Sequence, residues 1–132
     1  MKNKPSQIVS EWLKRADSDF GFARAAFEDF DDFYSQMCIL CHDAAEKYLK
    51  AYMVAQKGKY KRIHDLVTLL KDCGKILNED LSDLEKGCRI LNNYYAPLKY
   101  PSHFSFVTKK QAAEALKITE EINKFIKGKL SE

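Results

Sequence analysis

Nowhere does the chain carry an apolar run approaching the ~20 residues that a membrane-crossing helix needs, and Met1 to Ser10 lacks the hydrophobic centre of a signal peptide. Both absences lead to the expectation of a cytoplasmic protein with no membrane partner. The five glycines are scattered, so there is no glycine-rich phosphate loop, and no serine sits in an elbow motif; P-loop and α/β-hydrolase chemistry are excluded. No β-branched residues alternate between turn dipeptides, which excludes a sheet. Repeats and low-complexity tracts are missing too. Cys38 and Cys41, followed by His42, mimic half a zinc site, but Cys73 and Cys88 do not supply the second close pair, so neither a metal nor a cofactor is expected. His42 reads as a solvent-side residue paired with Glu46 one turn on. The cysteines read as reduced, buried thiols, since a domain of this size needs no disulfide staples.

What is present is ordinary globular material. The 132 residues suit a single domain with its core between about residues 6 and 130, a length that removes about two thirds of the unfolded surface from water. Hydrophobic residues make up 45% and charged ones 31%, which disfavours disorder and fibrous folds. The net charge of +3 says little by itself about nucleic acid. Its distribution says more, because Glu28, Asp29, Asp31 and Asp32 crowd one end of a central helix while Lys57, Lys59, Lys61, Arg62 and His64 crowd the other. That arrangement complements a helix macrodipole and also leaves a basic loop.

The central helix is marked by Met37, Leu40, Cys41, Ala44, Ala45, Tyr48, Leu49, Tyr52 and Met53 at helical spacing, with Asp43/Lys47 and Glu46/Lys50 as acid-before-base pairs on a wet opposite face. Ile8, Trp12, Ala16, Phe20, Ala23 and Phe27 predict a first helix from about Ser6 to Glu28, antiparallel to the second. A short third helix is expected from about Ile63 to Cys73, stopped by Gly74. Asn78 reads as the N-cap of a fourth helix running to about Tyr95, ended by Pro97 and Pro101. Thr108 and Gln111 have capping-box spacing before a last helix with Ala112, Leu116, Ile122 and Ile126 on its stripe. The fold class is all-α, an up-and-down four-helix bundle with one additional short helix.

Two stretches could carry chemistry. From Tyr94 to His103, Tyr94, Tyr95 and Tyr100 offer faces for stacking a base while Lys99 and His103 can contact a phosphate; the competing reading is that the tyrosines plug one end of the bundle, above all Tyr95, on the apolar stripe. His64 and Asp65 follow the basic loop. A histidine there can move a proton near neutral pH, although a capping role for the pair fits at least as well.

The order WLKRADSDF, HDAAEKYLKAYMV, IHDLVTLL, YYAPLKYP and an alanine-rich last helix resembles the HEPN domain, the higher eukaryotes and prokaryotes nucleotide-binding domain, over about Ser10 to Leu130. The resemblance implies a helical bundle that commonly dimerises and that in many members works beside a nucleotidyltransferase as a toxin–antitoxin pair. Some branches are metal-independent ribonucleases that use an arginine followed a turn or so later by a histidine. Here that motif is missing: Arg62 stands too close to His64, Arg89 is followed by Tyr94 and Tyr95, and Lys99, not arginine, precedes His103. Lysine lacks the planar fork that grips a phosphate through two hydrogen bonds.

The expected function is therefore a homodimeric binding module for a nucleotide or RNA, using Lys59, Lys61, Arg62, Tyr94, Lys99 and Tyr100, with a nucleotidyltransferase as protein partner. The competing readings are a ribonuclease toxin whose catalytic candidates are His64, Lys99 and His103, and a purely structural dimer. If the third helix merely decorates the bundle, the basic loop and the tyrosine stretch fall at opposite ends of one subunit, and only dimerisation unites them.

Overall fold

The stripe drawn by Met37, Cys41, Ala44, Tyr48 and Leu49 is sealed from solvent, and the other helices of the computed structural model are laid against it. The structure describes residues 5–95 and 106–132, and among them all regular structure is helical: α1 (Pro5–Asp29), α2 (Tyr34–Lys57), α3 (Leu66–Leu77), α4 (Ser82–Asn92) and α5 (Lys109–Leu130). The chain is thus the all-α bundle its periodicity predicts. None of these helices is long and apolar enough to cross a membrane.

Tie points fix the helix directions. Phe27 meets Tyr34, Asp19 meets Lys47 and Asp17 meets Tyr48, so α1 and α2 are antiparallel. Thr119 meets Cys41 and Lys127 lies over Tyr48, which makes α5 parallel to α2. Gly87 abuts Ile118 and Leu81 abuts Gly74, so α4 packs tightly between α3 and α5. The direction of α3 matters most for the site: Cys73 reaches the Leu49 carbonyl while the residues just before α3 lie beside His42 and Glu46, so α3 runs parallel to α2.

Burial explains why this arrangement holds. Each fully buried leucine or methionine side chain contributes about 1.5–3 kcal/mol, and Leu49, Leu66, Leu69, Leu70, Leu91 and Met37 are all sealed. Alanines line the contacts of the long helices, with Ala16 and Ala23 on α1, Ala44 and Ala45 on α2, and Ala115 on α5, each fully buried. The Tyr48 hydroxyl donates to Asp17 at 2.5 Å, and Asp17 also accepts from Lys127 at 2.8 Å, which ties α1, α2 and α5 at one point. All four cysteines are free and buried. Burial pushes the thiols of Cys38, Cys73 and Cys88 up to about 12 and that of Cys41 to about 11, so they stay protonated and inert at neutral pH.

Helix ends follow the sequence in three places and depart from it in one. Gly58 adopts the left-handed conformation that ends α2 (φ 71°), Asp65 caps α3 by accepting from the Val67 amide, and Thr108 with Gln111 forms the predicted capping box. The boundary between α3 and α4 is different. Gly74 lies inside α3, which runs on through Ile76 and Leu77, and Asn78 takes the left-handed position (φ 57°) as its C-cap. Asparagine tolerates that conformation, and the Glu79 amide closes the turn on the Gly74 carbonyl at 3.0 Å. With Asn78 used to stop α3, α4 starts only at Ser82, so it has 11 residues against 12 for α3.

Candidate functional site

The basic segment from Gly58 to Asp65 does not project from the end of α2; it doubles back along that helix. Its course is set by a chain of contacts. Tyr60 sits edge-on against Trp12 with ring centroids 4.8 Å apart, and the Lys50 ammonium lies 5.3 Å from the Tyr60 ring. Lys50 donates to Glu46 at 2.9 Å, and Glu46 accepts from His64 Nδ1, also at 2.9 Å. Finally His42 Nε2 lies 3.0 Å from the His64 carbonyl. A carbonyl only accepts, so Nε2 of His42 carries the hydrogen.

This chain overturns two expectations about α2. His42 is not on the solvent side: it is 0% exposed, held between the His64 carbonyl and Asp43. Nor is Glu46/Lys50 a wet pair, since the Lys50 side chain is 5% exposed and that of Glu46 13%. The return segment and the end of α4 cover them. Lys47, in turn, reaches across to Asp19 on α1 at 2.6 Å.

The end of α4 arrives at the same place. The Asn92 side chain accepts from the Leu66 amide at 2.9 Å and donates to Asp65 at 2.8 Å, which pins the C-terminus of α4 to the N-terminus of α3. Desolvation opposes the charge on Asp65, yet hydrogen bonds from Asn92, Thr68 and the Val67 amide hold its carboxyl below the usual range. Just beyond Asn92, the Tyr95 ring stacks on His64 (4.6 Å, 19°) and lies 5.0 Å from His42. The condition that would place the basic loop and the tyrosine stretch at opposite ends is not met: because the loop turns back and α3 runs parallel to α2, His64 and Tyr95 meet within one chain.

The adjacent tyrosine goes elsewhere. Tyr94, expected to offer a stacking face, is 6% exposed and hydrogen-bonded to Cys38, with burial pushing its hydroxyl up to about 12. It is a core residue, and the half-buried Tyr95 is the one that meets the loop. One helical position separates them, and the turn after Asn92 rotates the second ring out of the stripe.

On the other side of Tyr60 the loop borders a cavity of about 450 Å³ whose apolar wall is Met53, Tyr60 and Ile76 and whose rim carries Lys57, Lys59, Lys61 and Lys75. Lys61 is tied to Asp72 at 2.9 Å, whereas Lys59 and Arg62 are exposed. Of the predicted residues, then, Lys59 and Lys61 border this groove and His64 lies at the far end of the loop. Lys99, Tyr100 and His103 lie outside the described residues. His42, Glu46, Lys50, Tyr60 and Asn92 are members of the site that sequence patterning does not single out. Among the described residues no three His, Cys, Asp or Glu side chains are grouped to hold a metal.

A helical bundle whose central helix carries a buried acid–base pair beneath a folded-back basic loop defines the class. The chain belongs to the HEPN domain family, whose sequence model matches residues 9–129. It is similar to the crystal structure of TT1696 from Thermus thermophilus, with 27% identity over 92% of this chain and 97% of that one and a TM-score of 0.80. It is also similar to ST0689, described as an archaeal HEPN homologue, with 26% identity over 98% of both chains and a TM-score of 0.73. No curated protein matches the chain.

Proposed function

We propose that this HEPN module binds a nucleotide or single-stranded RNA along the strip from the lysine-rimmed groove to the His64–Tyr95 stack, acts as a homodimer, and serves a nucleotidyltransferase partner in a toxin–antitoxin-type pair. The observation that carries the ligand reading is the stack of Tyr95 on His64, because it joins the basic loop to the segment that continues toward Lys99, Tyr100 and His103. Flat rings interleaved with cations are what unpaired bases and their phosphates require. Tyr60 and Tyr95 supply faces, and Lys59, Lys61 and Arg62 supply charge. The domain is a single unit in this reading, and its place is the cytoplasm.

Trp12 is the chain's one tryptophan and touches Tyr60, so a ligand entering the groove should change its fluorescence. Titration with a short labelled single-stranded RNA and with mononucleotides, read by Trp12 emission and by anisotropy, is expected to saturate at low salt. Lys59→Ala with Arg62→Ala should weaken binding by about tenfold and reduce the salt slope by about 0.7 for each phosphate that is no longer neutralised. Absence of binding to any of these ligands, together with no thermal shift, would leave the purely structural dimer.

A second reading is favoured by one detail. With Nδ1–H of His64 donated to Glu46, Nε2 is the ring's remaining nitrogen on a side chain 50% exposed, the tautomer in which a histidine accepts a proton. A ribose 2′-oxygen could then attack the adjacent phosphorus as Nε2 takes its proton and hands it to the departing 5′-oxygen, with Lys99 or His103 steadying charge. The missing arginine-to-histidine motif weighs against this. Incubation with total RNA in the presence of a chelator is expected to give no cleavage; cleavage that disappears in His64→Ala or His103→Ala would establish the ribonuclease instead.

A further inference from the structure

At the opposite flank of α2, hydrocarbon is left in water. Phe22, Phe30 and Phe33 are 66%, 50% and 49% exposed, and with Ala26, Met37 and Leu40 they line a shallow apolar cavity of about 300 Å³. Exposed phenylalanines grouped over one cavity mark a contact surface rather than scattered surface apolar residues.

The sequence of α1 around Phe22 says what covers them. Arg15 lies seven residues before Phe22 and Asp29 seven after it, each about 10 Å along the helix axis and on the same outward face. Between them on that face stand the small, exposed residues Ser18 and Ala25, which permit close approach of another helix. Reversing the helix about Phe22 therefore places Arg15 on Asp29 and Asp29 on Arg15. A surface that is its own electrostatic complement under a two-fold rotation suits an isologous pair. The only ion pair formed by Arg15 within the described residues is a weak one, 3.8 Å from Glu11, with the Arg15 side chain 71% exposed.

We infer that α1 is the dimer face: a second copy of this chain packs antiparallel across Phe22, with the two Phe22 rings at the axis and an Arg15–Asp29 pair at each end. The inference rests on the homodimer reading above and adds the surface through which it forms.

The test exploits the symmetry. Sedimentation equilibrium of the wild-type chain should show a dimer. Arg15→Asp alone and Asp29→Arg alone should each weaken self-association by about tenfold or more, since like charges then face each other at both ends of the pair. Mixing the two variants should restore a mixed dimer, and the double exchange Arg15→Asp with Asp29→Arg should restore a homodimer; no contact with an unrelated surface behaves this way. All these positions are exposed, so circular dichroism should match the wild type, and melting temperature should match it at a concentration where every protein is monomeric. A wild-type chain that is monomeric at every concentration overturns the homodimer reading and this inference with it. A wild-type dimer indifferent to the single exchanges and to Phe22→Asp overturns only the inference.

Discussion

Around the return loop the chain buries Lys50 and His42 and largely covers Glu46, whereas across α2 from them it leaves Phe22, Phe30 and Phe33 in solvent. Both regions invert the usual partition of polar and apolar groups, and in both the inversion carries information that an exposed lysine or a buried leucine would not. They differ in how the cost is met. Burying charge is costly unless each charge finds partners, and here the partners are internal: Glu46 holds Lys50 and His64, and Tyr95 roofs the histidines. The exposed rings have no such internal solution beyond the edge-on contact of Phe30 with Phe33 at 5.4 Å. A satisfied network suits a rigid site for a ligand; an unsatisfied apolar face suits a macromolecule.

The largest expected effect separates these regions directly. Glu46→Gln should destabilise the fold by about 3 kcal/mol, because it removes one partner of a buried ion pair and leaves Lys50 charged without compensation. Adding Lys50→Met to Glu46→Gln should recover much of that loss, since no buried charge then remains. Phe22→Asp, by contrast, should stay within about 0.5 kcal/mol of the wild type when both are measured at a concentration where the wild type is monomeric, so that lost self-association does not enter. Urea denaturation of the four proteins measures all of this. A mild effect of Glu46→Gln comparable to that of Phe22→Asp would mean that the pair is hydrated and the contrast false.

The legibility of the sequence follows the same division. Apolar periodicity is a local signal, so α1, α2 and α5, the Gly58 stop and the Thr108 cap could be read from it. The route of the loop after Gly58 could not, because it is decided by contacts distant in sequence: His42 with the His64 carbonyl and Asn92 with Asp65. Hydrophobic patterning also assigns residues by type, and so placed Glu46 and Lys50 in water although another segment covers them. The two adjacent tyrosines show the limit at its finest. Only the turn after Asn92 decides that Tyr94 enters the core and Tyr95 meets His64, and no spacing rule reaches past a helix end. The exposed phenylalanines carried no signal in the periodicity of the core face, yet their flanking charges were present in the letters of α1.

A smaller effect tests the clamp that brings α4 to the loop. Hydrogen bonds hold the Asp65 carboxyl below its ordinary value. A depressed carboxyl contributes stability above its unfolded pKa, about 3.9, and loses that contribution as pH falls through the folded value. Asn is as good an N-cap as Asp but cannot ionise. Because Asp65 is exposed and solvent screens its charge, the wild type should exceed Asp65→Asn by at most about 1 kcal/mol at neutral pH, and the gap should close as pH is lowered below about 4. Thermal melts across that range measure it, and a gap independent of pH would show that the charge plays no part in the clamp.

The smallest effect belongs to the apolar face. Phe33 precedes α2 with φ 67° and ψ 26°, and no side chain caps the helix there. A non-glycine residue in this left-handed region costs about 1–2 kcal/mol, partly offset by the ring contact with Phe30, worth about 0.5–1.5 kcal/mol at most. Phe33→Gly removes both terms and adds unfolded-state entropy of about 0.5–1 kcal/mol, so melting should move by less than about 1 kcal/mol in either direction. Self-association should nevertheless weaken, because a ring 49% exposed in the subunit is kept in a strained conformation that the fold itself does not need. Loss of stability without loss of self-association would place the value of Phe33 inside the subunit and narrow the contact face to α1.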